Sequence, residues 1–192
     1  MKTKKLLLGL MIGFLIFSCG DNNIEKEENS EENADIEVIG ESDMNQISLS
    51  DYGLNMTLML PEVASSTGNS IEPSITHEDG DYFWFLDIGN HFHLVIEDFG
   101  KETDKVAEKK KELEGLKDIF IIEYIIDEPN LIMYKRSLHE GQGGKPSYHC
   151  YGETTVGGYT FVLHSADEGG LKPVINDMVT TIRSAKEINS ES

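Results

Sequence analysis

Apolar and polar residues alternate through Leu54, Met56, Leu58 and Leu60, and Pro61 closes the run, so from Gln46 onward the chain is expected to begin with strands. Residues 62–73 read as a loop. Ile75 to His77, the turn sequence Glu78-Asp79-Gly80-Asp81 and the aromatic run Tyr82 to Ile88 predict a hairpin. A second turn at Gly89-Asn90 leads into His91 to Asp98. A two-residue turn there would set Ile88 opposite His91, Leu86 opposite His93, Trp84 opposite Val95 and Tyr82 opposite Glu97. Phe83, Phe85, Phe92, Leu94 and Ile96 would then share the other face. With apolar groups on both faces, this hairpin is expected near the centre of a sheet, covered at least in part on both sides.

Glu102 to Leu116 has helical periodicity, with Thr103 or Asp104 as N-cap and Gly115 near the stop. Its apolar stripe, Val106, Ala107, Leu113 and Leu116, is thin, which predicts a surface helix. Ile119 to Ile126 and Leu131 to Arg136 read as strands joined by Asp127-Glu128-Pro129-Asn130. After the glycine-rich loop Glu140 to Pro146 comes a hairpin, Tyr148 to Val156 and Tyr159 to His164, turning on Gly157-Gly158. Its register puts Cys150, Thr154, Val156, Tyr159, Phe161 and Leu163 on one face and His149, Tyr151, Glu153, Val162 and His164 on the other. Last, Leu171, Val174, Ile175, Met178, Val179 and Ile182 recur at helical spacing behind Pro173, predicting a helix that covers a sheet face.

The amino-terminal end carries a different pattern. Lys2, Lys4 and Lys5 precede an apolar run from Leu6 to Phe17, long enough for a signal-peptide core and short of the roughly 20 residues of a spanning helix. The run ends in Ile16-Phe17-Ser18-Cys19, which resembles a bacterial lipobox. That resemblance implies cleavage before Cys19, a diacylglycerol on its sulfur, and an acylated new amino terminus that holds the chain at a bilayer. The expected location is the cell envelope, lipid-anchored, with the outer membrane as the expected membrane. Residues 20–44 hold ten acids and one lysine and few apolar groups, the composition of a disordered tether. The expected organisation is therefore a signal peptide over 1–18, a tether over 19–45, a folded domain over 46–187 and a tail over 188–192.

Charge narrows the partners. The chain carries a formal charge of −19, and loss of residues 1–18, with three lysines and no acid, takes it to −22. Nucleic acid is excluded as a partner, since Lys109-Lys110-Lys111 is the sole basic run and is flanked by Glu108 and Glu112. With two cysteines in all, acylation of Cys19 leaves Cys150 without a disulfide partner, expected as a small buried apolar residue.

The order of elements, opened by GLNMTLMLP and closed by MVTTIRSAK, resembles the Mog/PsbP-like fold: an α+β domain in which helices pack on the faces of an antiparallel sheet, an α/β/α sandwich. The resemblance covers roughly residues 46–187 and implies an accessory or binding protein, with no cofactor and no site residue carried over. No phosphate-binding loop, nucleophile elbow or H-E-x-x-H zinc motif is present: Gly141-Gln142-Gly143-Gly144-Lys145-Pro146 has the wrong spacing for the first. No catalytic residue is assigned, and the expected role is a non-catalytic domain that binds another envelope protein or a small ligand. The alternative is an envelope hydrolase built from dispersed residues. The candidate ligand or metal face is a histidine cluster in which His91 and His93 project from one strand, His77 is brought alongside by the Asp79-Gly80 turn, and Tyr82 and Trp84 flank them. His149 and His164, on one face of the later hairpin, are a second histidine pair.

Overall fold

A computed structural model describes residues 44–62 and 72–188, all within the unit Glu37–Ser192. The expected signal peptide, Cys19, nearly all of the tether, most of the 62–73 loop and the last four residues lie outside the described residues. Ordered strand begins at Met44, inside the span expected as tether, because Met44 is buried and pairs with Pro61.

The elements are β1 (Met44–Ser48), β2 (Met56–Pro61), β3 (Ser74–Thr76), β4 (Phe83–Ile88), β5 (Phe92–Asp98), α1 (Lys105–Gly115), β6 (Phe120–Asp127), β7 (Leu131–Leu138), β8 (Ser147–Val156), β9 (Tyr159–Ser165), α2 (Lys172–Arg183) and β10 (Lys186–Glu187). Seven strands form one antiparallel sheet in the order β3-β4-β5-β9-β8-β7-β6, and β1-β2-β10 form a smaller antiparallel sheet. The fold is α+β. Among the described residues no helix is long and apolar enough to cross a membrane.

One face of the large sheet, the inner face, builds the main core. Trp84, Leu86 and Ile88 of β4, Phe92, Leu94 and Ile96 of β5, Phe161 and Leu163 of β9, Cys150 of β8, and Leu131 and Met133 of β7 all point there. They meet β2, through Met56, Leu58 and Leu60, and α2, through Val174, Ile175, Met178, Val179 and Ile182. Each such aliphatic side chain stabilises the fold by about 1.5–3 kcal/mol relative to exposure. The closing helix thus does what its periodicity predicts for five of the six apolar residues; Leu171 instead precedes the helix as its N-cap and is 62% exposed. The later hairpin also has its expected register: Val156 pairs with Tyr159 across a two-residue turn in which Gly157 and Gly158 take φ of 60° and 80°.

The β4–β5 hairpin departs from expectation. Its connection is three residues, Gly89-Asn90-His91, so Ile88 pairs with Phe92, Leu86 with Leu94 and Trp84 with Ile96. That one-residue shift gathers six large apolar side chains onto the inner face, whereas a two-residue turn would have split them between faces. Burial decided the register. Nor is the hairpin central: it lies next to the β3 edge, and its outer face leaves Phe83 and Phe85 at 40% and 47% exposure.

On the outer face, α1 covers the other half of the sheet. Val106 and Leu113 are buried against Ile132 and Tyr134, with Leu116, Ile122, Tyr124 and Tyr151 around them. The start of α1 is held from a distance. Asp104 at the N-cap adopts φ 66°, and its side chain makes no cap. Instead the carboxylate of Glu153 on β8 accepts from the amides of Asp104 (3.2 Å), Lys105 (2.7 Å) and Val106 (3.4 Å). A negative charge at the positive end of the helix satisfies three amides that lack intrahelical partners and ties α1 to the sheet.

Candidate functional site

The strand register arranges the outer face of β7, β8 and β9 as a grid. Tyr134 stands opposite His149, and Arg136 opposite Ser147, across β7 and β8. Tyr151 stands opposite His164, and Glu153 opposite Val162, across β8 and β9. Glu97 of β5 follows as the neighbour of Val162. Beside this grid α1 presents Lys105, Lys109, Leu113 and Leu116, and between helix and sheet lies a cleft of about 550 Å³. That volume lies within the range of ligand pockets.

The rings in the cleft are packed in pairs. Tyr134 and His149 stack at 5.0 Å between centroids with planes 10° apart, and Tyr151 and His164 stack at 5.7 Å and 28°. The Lys109 ammonium sits 5.7 Å from the Tyr151 ring centre. His149 is 3% exposed, with Nε2 2.8 Å from the Ser147 hydroxyl. Gly169 closes over it: a Cβ there would come within 2.5 Å of the imidazole, so no larger residue fits.

Burial, reinforced by Arg136 and Lys109 and opposed by Asp167, lowers the His149 pKa to about 4. The ring is therefore a neutral, stacked, hydrogen-bonded group at neutral pH. Burial, together with Glu97 and partly offset by Lys105, raises the Tyr151 hydroxyl to about 12, and burial also raises that of Tyr134. Both nitrogens of His164 face acceptors, Nδ1 the carbonyl of Ser165 at 2.8 Å and Nε2 the carboxylate of Glu97 at 3.4 Å. One nitrogen of the Arg136 guanidinium donates to the carbonyl of Asp167 at 2.9 Å, and the group lies 5.1 Å from the Phe120 ring centre. Among the described residues no carboxylate pairs with Arg136.

The histidine cluster expected from sequence is distributed differently. His77 stacks on Trp84, with centroids 4.3 Å apart and planes 8° apart, and its Nδ1 lies 2.9 Å from the carbonyl of Phe83. Trp84 is on the inner face, buried, donating from Nε1 to the carbonyl of Tyr52 at 2.7 Å. His91 is exposed in the turn, Tyr82 is 67% exposed, and His93 projects from the outer face with Nδ1 2.6 Å from Asp87. The shifted register thus puts His93 on the opposite face from Trp84. Among the described residues no cluster of three or more His, Cys, Asp or Glu side chains is placed to hold a metal ion.

Cys150 lies on the inner face, and burial pushes its thiol up to about 12, which makes it unreactive. Tyr134, Arg136 and Glu97 carry no sequence motif. What could have drawn attention to their side of the sheet was the shared face of His149, Tyr151 and His164. Compared with known proteins, the chain matches no family model and no curated sequence.

Proposed function

We propose that this is a lipid-anchored envelope lipoprotein, held at the bilayer through acylated Cys19, whose folded domain is a non-catalytic binding module with the cleft beside α1 as its binding site. Helices on opposite faces of an antiparallel sheet support the finer reading of the domain as a Mog/PsbP-like sandwich. The observation that carries the binding role is the state of His149 in the cleft. It is stacked, buried and poorly basic, so that wall of the cleft is set up for contact rather than for proton transfer near neutral pH.

A hydrolase is the second reading, and it draws on one contact: Ser147 Oγ and His149 Nε2 are 2.8 Å apart, the separation of a nucleophile and its base. It ranks second because a base with a pKa of about 4 is mostly ineffective at neutral pH.

The anchor and the binding role are tested separately. Cys19→Ser is expected to abolish partitioning into a detergent phase, and a variant that still fractionates with membranes as the parent does overturns the anchor. Crosslinking from intact cells is expected to trap a partner or ligand against α1 or β7–β9. Hydrolysis of ester or amide substrates that disappears in Ser147→Ala would replace the binding role with the hydrolase.

A further inference from the structure

The two ends of the cleft have opposite electrostatic character. At the β7 end stands Arg136, whose guanidinium has five N–H donors, of which the described structure commits one nitrogen to the Asp167 carbonyl. Tyr134 stands one face position away, and its hydroxyl has no hydrogen-bond partner among the described residues. The field at this end is positive even though the chain as a whole is strongly acidic, since Arg136 and Lys109 both oppose a proton on His149. At the β5 end Glu97 faces His164, while Glu108 and Glu112 of α1 are paired with Lys105 and Lys109. Glu97 is therefore the cleft carboxylate without a lysine partner among the described residues, and it acts to hold the proton on Tyr151 against Lys105. Between the ends, the partly exposed ring of Tyr151 gives the cleft an apolar surface, with the Lys109 ammonium beside it and Leu113 buried behind.

Registers give the length. Arg136 is level with Ser147 and Glu97 is level with Glu153, through Val162. Ser147 and Glu153 are six residues apart on β8, about 20 Å along the strands, and β7 and β5 are three strand spacings apart, about 14 Å across, so the two backbone positions lie about 24 Å apart. An arginine and a glutamate side chain together close about 10 Å of such a distance, which leaves a gap that about four extended residues would span.

We infer that the cleft takes a short peptide with free ends, its carboxylate held by the Arg136 guanidinium and the Tyr134 hydroxyl, its ammonium by Glu97, and its apolar side chains lying between Tyr151 and α1. This rests on the cleft being the binding site. A guanidinium matches a carboxylate in two parallel hydrogen bonds, and a polyanion would be repelled at the Glu97 end.

The test uses the full-length, detergent-solubilised lipoprotein and the tetrapeptide Ala-Tyr-Leu-Ala in three forms: free, C-amidated and N-acetylated. Ring signals of His149 and Tyr151 are followed by NMR. The free peptide is expected to shift both sets, with amidation weakening binding about tenfold and acetylation about threefold, since each removes one charge-assisted contact. In Arg136→Met the amidation penalty should fall below about twofold, while Arg136→Lys should retain part of it. Equal binding of free and amidated peptide, a penalty that survives Arg136→Met, or no ring shift at millimolar free peptide overturns the inference. A doubly blocked peptide or a neutral disaccharide that shifts the same rings when the free peptide does not would overturn it while leaving the cleft as the binding site. A crosslinked partner mapped to another face would overturn the proposed function itself.

Discussion

The outer face of the large sheet has two halves that treat the same residue types in opposite ways. In one half, Tyr134 is buried under α1, and His149, stacked on it, is closed over by Gly169. Beyond the helix, Phe83, Phe85 and His93 stand at the surface, and His93 is paired with the half-exposed Asp87. Strand sequence does not account for this: Phe83 and Phe85 are at least as apolar as the residues that α1 covers. The difference lies in what is laid across the strands: α1, pinned by Glu153, over Tyr134, and the turn at Gly169 over His149. Coverage lowers the pKa of one histidine, while in the open half a carboxylate hydrogen bond raises that of the other.

Truncation on the two halves gives the widest contrast. Leu113→Ala should cost about 2–4 kcal/mol, because Leu113 is 1% exposed and the helix cannot collapse fully into the void. Phe85→Ala, at 47% exposure, should cost about 1 kcal/mol or less. Chemical denaturation of the two variants checks this, and equal losses would mean that α1 does not shield the sheet as described.

How far the sequence revealed this contrast depends on the residue. The five-residue apolar stripe of α2 and the Gly157-Gly158 turn are local signals, and each leads to one structure. Alternation in Tyr82 to Asp98 was legible too, but both faces of that hairpin carry large apolar groups, so pattern alone left the register to the turn. A three-residue turn moved Trp84 to the core and His93 to the outer face, and the expected cluster with His77 and His91 dispersed. The cleft was harder to see. Its members come from β5, α1, β7, β8 and β9, and only His149, Tyr151 and His164 were placed together on one face by a hairpin legible in the sequence. Arg136 and Tyr134 gain their meaning from pairing with β8, which no local pattern encodes.

Acid should break the comparison from the covered side. His149 is neutral in the fold down to about 4, while in the unfolded chain it takes up a proton near 6.5. Its contribution is intact above about 6.5 and is lost as pH falls toward 4, amounting to about 3 kcal/mol when the loss is complete. Denaturation midpoints of the parent and His149→Phe, compared from pH 7 to 4, should lie near one another at neutral pH and separate on the acid side, where the parent loses up to about 3 kcal/mol that the variant keeps, since phenylalanine keeps the stacking area and binds no proton. A constant difference across that range would show that the ring is not shielded.

The smallest effect comes from the open half and has the opposite sign. Asp87 accepts from His93 and raises its pKa above 6.5, so the pair stabilises the fold fully below the unfolded value and loses its contribution as pH rises through the raised one. Because the two side chains are 41% and 40% exposed, solvent screens the pair, and a few tenths of a kcal/mol is the expected size. Stability curves would barely register it, but an NMR titration of the His93 ring would. In Asp87→Asn the midpoint of His93 should move down toward 6.5, while that of His149 stays low, because burial sets the latter. If Asp87→Asn moved both histidines together, the two halves of the face would be electrostatically continuous, and the position of α1 would not be what separates them.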